Sequence, residues 1–185
     1  AVGNVTVEGC KETTLTSDTE AELHAQGTRV TLKGDITELK CDNNQLISLN
    51  VQGLTALKSL ECFNNLLTAL NAQGCTALES LECNDNRLTA LNVQGLEALQ
   101  VLECRNNELT SLNLRGMTAL QGLRCGGNKL TALNVQSCTA LKELGCYSNK
   151  LTTEAFIKIF TDLPTWTESD DAWCSLYTEE SGVTE

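Results

Sequence analysis

Between residues 36 and 151 the apolar positions fall in one order that returns every 21 residues. Leu39, Leu60, Leu81, Leu102, Leu123 and Leu144 recur at that interval, and so do Cys41, Cys62, Cys83, Cys104, Cys125 and Cys146. Within a unit, Leu60 and Cys62 stand two residues apart. In an extended chain both therefore point to one face, while Ser59, Glu61 and Phe63 point to the other. A single strand of this kind cannot bury its apolar face. Stacked about 4.8 Å apart in a parallel sheet, each Leu lies between its equivalents on the coils before and after, and stability becomes a nearest-neighbour property. The pattern predicts a stack of coils, each contributing one short strand.

A polar row runs beside the apolar ones: Asn44, Asn65, Asn86, Asn107, Asn128 and Asn149. It stands where the chain leaves the strand and turns, and an amide can satisfy both the N–H and C=O groups that such a turn leaves inside the coil. A second row, Asn50, Asn71, Asn92, Asn113 and Asn134, opens the return path. It is followed by Val51, Ala72, Val93, Leu114 and Val135, then by Gly53, Gly74, Gly95 and Gly116, with Ser137 as the exception. Those glycines predict a turn at positive φ. So short a unit leaves little room for a helix, and the return path is expected to hold short extended or 3₁₀ segments.

The unit L-x-x-L-x-C-x-x-N-x-L, at a period between about 20 and 29 residues, carries the leucine-rich-repeat signature with cysteine at its sixth position. It resembles the cysteine-ladder repeats of internalin J and of related surface proteins from gut anaerobes, over about Ile36 to Leu151. The resemblance implies a mainly β solenoid: a curved right-handed coil with a parallel concave sheet and little or no convex helix. It also implies a secreted or cell-wall-exposed bacterial protein that binds a protein or glycan on a host or neighbouring cell.

Outside the repeats the chain is expected to form caps, since the end coils would otherwise expose the core. Residues 1–35 alternate in β fashion at Asn4 to Val7, Ala21 to Ala25 and Arg29 to Leu32, predicting an N-terminal β cap. Residues 36–151 form the solenoid. In residues 152–185, Thr152 or Thr153 can cap a helix from Glu154 to Asp162 whose apolar stripe is Ala155, Phe156, Ile159 and Phe160. A strand from about Ala172 to Tyr177 is expected to close the sheet edge. Glu179 to Glu185 read as a polar tail or the start of a linker. The sequence begins at Ala1 rather than Met, as expected of a chain that has lost a targeting segment.

Composition narrows the partners. The 185 residues include 31 leucines but three Phe, two Tyr and two Trp, so aliphatic side chains must fill the core. A net charge of −11 lacks the basic footprint needed for nucleic acid or an anionic membrane. No apolar run approaches the roughly 18 residues of a membrane span, so no membrane insertion is expected. The ten cysteines are expected to be free. Ladder neighbours are close enough to bridge, but their parallel Cβ vectors do not suit a disulfide, and a buried thiol packs as a small hydrophobe. Cys75 and Cys138 take the place of core Leu54, Leu96 and Met117. Cys10 and Cys174 lie in opposite caps, too far apart to pair. With His24 alone and no C-x-x-C, no metal or cofactor site is expected, and neither a histidine-based triad nor a phosphate-binding loop is present.

The candidate binding positions are the third, fifth and seventh of each unit, on the concave face. The fifth row holds Glu61, Glu82 and Glu103 side by side, and like charges on adjacent strands repel by a few tenths of about 1 kcal/mol per contact. Such a stripe either meets a basic partner or serves as a solvated acidic face. Toward the C-terminal coils, Gly122, Gly126, Gly127 and Gly145 remove side chains where Arg105, Arg124 and Tyr147 remain, predicting a hollow with a basic, aromatic rim. The function expected is a non-enzymatic, monomeric, extracellular recognition or adhesion module. The alternative is a passive spacer in a larger bacterial surface protein.

Overall fold

The computed structural model describes residues 5–11, 13–15, 26 and 31–176. Strands β1 (Val5–Glu8), β2 (Thr14–Leu15) and β3 (Thr31–Lys33) form an antiparallel sheet in the order β2-β1-β3. Then follow β4 (Glu38–Lys40), β5 (Ser48–Asn50), β6 (Ser59–Glu61), β7 (Ala69–Asn71), β8 (Ser80–Glu82), β9 (Val101–Glu103), β10 (Gly122–Arg124) and β11 (Glu143–Gly145). The chain continues through helix α1 (Thr153–Asp162), a 3₁₀ turn (Glu168–Asp170) and β12 (Trp173–Ser175). Among the described residues, no helix is long and apolar enough to cross a membrane.

Seven strands make one parallel sheet in the order β12-β11-β10-β9-β8-β6-β4. Its register is the sequence period made physical: Leu39, Leu60, Leu81, Leu102, Leu123 and Leu144 stand opposite one another, and Cys174 completes the row. The backbone ladder runs on past each three-residue strand, as where Cys62 N–H donates to the Glu82 carbonyl at 2.8 Å and Asn64 N–H to that of Asn84 at 3.0 Å. On the return path β5 pairs in parallel with β7. The extended form expected there is thus seen in these two coils.

One core runs through the stack. Leu60, Leu81, Leu102, Leu123 and Leu144 are fully buried, as are Cys62, Cys75, Cys83, Cys104, Cys125, Cys138 and Cys146. Leu57, Leu78, Leu99 and Leu120 close it from the return side. The first coil is looser, with Leu39, Cys41 and Leu49 only half-buried. All ten cysteines carry free thiols. Burial pushes the thiol of Cys41 up to about 11 and that of Cys146 up to about 12, and those of Cys83, Cys104 and Cys125 stand well above the ordinary value.

Asn86 shows how the turn inside the coil is held. Its Nδ2 donates to the carbonyls of Cys83 and Asn84 in its own coil and of Cys62 in the coil before, at 3.0–3.2 Å. Its Oδ1 accepts from Leu67 N–H at 2.9 Å. Asn65, Asn107, Asn128 and Asn149 bond in the same way. In the other row, Asn50, Asn71, Asn92, Asn113 and Asn134 each accept from the N–H two residues on. Gly53, Gly74, Gly95 and Gly116 have φ between 77° and 84°, the conformation expected of them, and Ser137 is not among the residues at positive φ.

A second positive-φ row was not visible in the pattern. It runs Asn43, Asn64, Asp85, Asn106, Gly127 and Ser148. Gly127 is therefore a turn glycine, not part of a hollow: a Cβ there would collide with Asn106 Oδ1. This left-handed conformation explains why the eighth position accepts Asn, Asp, Gly or Ser and never an apolar residue.

At the C-terminal end, Thr152 caps α1 by accepting from Ala155 N–H at 3.2 Å. Ala155 and Ile159 are buried, but Phe160, read as part of the apolar stripe, is 62% exposed. Trp166 Nε1 donates to the Leu141 carbonyl at 2.7 Å, tying the segment to the last coil. Ala155 and Ile159 mark the side of α1 that meets the core, and Ile157 and Phe160 lie off it. At the N-terminal end β2 was not anticipated. Asn4, the strand expected from Ala21 to Ala25 with its His24, Tyr177 and the polar tail lie outside the described residues.

Candidate interaction surface

Strand alternation puts the third, fifth and seventh side chains of each coil on the outer face of the seven-stranded sheet, with the core leucines beneath them. Across the fifth row, charge is paired along the stack. Lys40 Nζ lies 2.8 Å from Glu61 Oε1. Glu103, whose side chain is only 12% exposed, accepts from Arg105 Nη2 at 2.9 Å and from Arg124 Nη1. Arg124 reaches the other way as well, from Nη2 to Glu143 Oε2 at 2.8 Å, and its guanidinium lies 5.7 Å from the Trp173 ring centre. Burial opposes the charge on Arg105, but the nearby Tyr147 hydroxyl and Glu103 carboxylate outweigh it and raise the guanidinium above its ordinary value.

Of the six residues singled out in the sequence, Glu103, Arg105, Arg124 and Tyr147 thus form one network, joined by Glu143 and Trp173. The three glutamates of the expected stripe stand side by side and Glu61 and Glu103 do act on Glu82, but Glu61 and Glu103 are also each paired with a cation from a neighbouring coil or from the same coil. Glu82 is the exception, with no ion pair among the described residues. Its carboxyl is held above the ordinary glutamate value by partial burial first, then by Glu103 and Glu61, against the opposing influence of Lys40 and Arg105.

The predicted hollow is also corrected. A Cβ on Gly126 would lie 2.9 Å from the Tyr147 ring, so that ring occupies the space the missing side chain leaves. Over Gly145 the Trp173 ring stands 3.5 Å from the equivalent point. What remains is a shallow depression at Gly122 bordered by Val101, Gln121, Arg124, Lys142 and Glu143. Trp173 was missed as a site residue because it comes from outside the repeats. Its only signal was the alternating pattern of the last predicted strand.

Beside Glu82 the seventh-row Asn84 is 9% exposed. Its Nδ2 donates to Asp85 Oδ2 at 2.7 Å, and its Oδ1 is buried without a partner. The Nε of Arg105, in the same row on the next coil, is likewise unpartnered. The surface is suited to hydrogen bonding and charge pairing. Among the described residues, no grouping of three His, Cys, Asp or Glu side chains is arranged to hold a metal ion.

No protein-family model and no curated protein matches the sequence. Solved structures do. The functional domain of InlJ from Listeria monocytogenes, described as including a cysteine ladder, is 24% identical over 81% of this chain and 45% of that one, with a TM-score of 0.49. A leucine-rich-repeat protein from Leptospira interrogans is 20% identical over 76% of this chain and 49% of that one, with a TM-score of 0.52. The chain spans less than half the length of either structure. The second likeness and the stacked parallel strands define the fold: a mainly β leucine-rich-repeat solenoid.

Proposed function

We propose that this chain is a non-enzymatic protein-interaction module of a bacterial surface, engaging its partner through the outer face of the seven-stranded sheet. In this reading, residues 36–151 are the binding solenoid, and residues 1–35 and 152–185 are caps that shield its ends. The observation that carries it is the contrast between rows. Core Leu, Cys and Asn rows hold one residue type from coil to coil, while above them the seventh position changes at every coil and the third at most of them, and the fifth holds Glu at 61, 82 and 103 between Lys40 and Arg124. A rigid frame under a varied polar face suits recognition, and a spacer needs no such variety.

The test is binding of the purified protein to panels of cell-surface proteins and glycans, using wild type, an outer-face variant Glu82→Arg and a return-path variant Gln94→Arg. The expected result is protein binding that Glu82→Arg abolishes and Gln94→Arg leaves intact. Equal binding by both variants would move recognition off this face. Silence of the wild type across the panel would favour the spacer.

A further inference from the structure

We propose that the face between β6 and β9 receives an arginine side chain of a partner protein, its guanidinium held by the Glu82 carboxylate and Asn84 Oδ1 beside the Phe63 ring. The inference rests on the interaction reading above and names the chemistry of its partner. On this face Glu61 is balanced by Lys40, and Glu103 and Glu143 by Arg105 and Arg124. Of the face carboxylates without an ion pair among the described residues, Glu38 and Asp42 lie on the first coil, and Glu82 stands in the middle of the sheet.

Asn84 supplies the independent observation. It is 9% exposed and stands two residues from Glu82 on the same face, with a buried acceptor that nothing among the described residues fills. Turning the amide over would not help, because Oδ1 would then meet the Asp85 carboxylate that Nδ2 now binds at 2.7 Å. The unpartnered atom is therefore an acceptor, and a neighbouring side chain must move to expose it. Two carboxylate oxygens and one amide oxygen on adjacent positions match the planar fork of a guanidinium better than the point charge of an ammonium. A guanidinium is also the more weakly hydrated cation, which suits a half-buried carboxylate.

The same face already holds one guanidinium in this way. Arg124 lies between the carboxylates of Glu103 and Glu143 and over the Trp173 ring. At Glu82 the carboxylate, the extra acceptor and a nearby aromatic are present, and the neighbouring Arg105 guanidinium pairs with Glu103 rather than with Glu82. Phe63 and Arg105 flank Asn84 in the seventh row. Arg105 is anchored to Glu103, so Phe63 is the side chain that swings aside to admit the incoming group and then stacks on it.

The test uses three blocked pentapeptides, Gly-Gly-X-Gly-Gly with X as arginine, lysine or citrulline, titrated into the ¹⁵N-labelled full chain. The arginine peptide is expected to shift the Asn84 side-chain amide signal, the lysine peptide to bind more weakly, and the uncharged citrulline peptide not to bind. Glu82→Gln is expected to weaken the arginine peptide about tenfold. Asn84→Ala is expected to weaken it less, with both variants keeping the wild-type backbone spectrum. Arginine binding untouched by Glu82→Gln, equal binding of lysine, or no binding at all would overturn the proposal. If the peptides fail while a protein partner is still lost on Glu82→Arg, the arginine inference falls and the interaction reading stands.

Discussion

Asn86 does the work of four hydrogen bonds from inside the coil, and its loss would leave the carbonyls of Cys62, Cys83 and Asn84 and the N–H of Leu67 without that partner. Asn86→Ala should therefore cost about 2 to 4 kcal/mol in urea unfolding, since each buried unsatisfied group costs about 1 to 3 kcal/mol and relaxation recovers part of it. Asn92→Ala removes one bond at an exposed turn, to Gln94 N–H, and should cost under about 1 kcal/mol. The fifth-row carboxylates divide in the same manner. Glu103→Gln breaks a half-buried two-guanidinium network and should destabilise by about 1 to 3 kcal/mol. Glu82→Gln relieves repulsion and should leave the melting temperature unchanged or slightly raised, within about 0.5 kcal/mol. The sequence could not separate these two glutamates: both sit in the same Leu-Glu-Cys context, and only the side chains arriving from other coils distinguish them. A repeat makes neighbours across coils predictable by row, but which rotamer reaches which neighbour is decided by packing.

Among the elements, strand register was legible and surface relief was not. A strand whose leucines recur at a fixed interval has one way to align them with its neighbours, because a slip by one residue would turn the row outward. Leu81→Ala should accordingly cost about 2 to 5 kcal/mol by chemical denaturation, as it leaves a cavity between two coils, while Leu39→Ala in the looser first coil should cost clearly less. The bounds of α1 were readable from its cap and apolar spacing. The exposure of Phe160 was not, because a helix of this pattern shows two adjacent apolar flanks and the sequence does not say which one meets the core. Glycines on a strand were read as empty space. Tyr147 and Trp173 fill that space at Gly126 and Gly145, and Trp173 arrives from a segment the period does not govern.

For the whole molecule, stacking turns one buried thiol into a column with a collective response to pH. In the unfolded chain these cysteines titrate near about 8.5. In the folded chain Cys41, Cys138 and Cys174 lie at about 11, Cys146 at about 12, and Cys62, Cys83, Cys104 and Cys125 higher still, all chiefly through burial. Above about pH 8.5 the unfolded state releases thiol protons that the folded state keeps, so stability falls as pH rises. Each deeply buried cysteine removes about 1.4 kcal/mol by one pH unit above the unfolded value. For Cys41 and Cys138 the decline levels off beyond about 11. Urea midpoints measured under reductant between pH 7.5 and 10 should drop steeply for the wild type and less so for a Cys83→Val, Cys104→Val double variant. A flat wild-type profile would mean that the column is open to solvent.

The uniform spacing of the coils also gives the protein a unit of evolutionary change. Removing residues 79–99 would put Leu78 in the place of Leu99, its equivalent one coil on, and join it to Gln100, so the backbone bonds between coils and those of the buried Asn row find partners of the same kind. The molecule would shorten by one step of about 4.8 Å without a seam. The face would not survive so evenly: Glu82 and Asn84 would vanish, and Glu61 would come to rest beside Glu103. Gain or loss of whole units can thus edit what the surface says while leaving the scaffold grammatical.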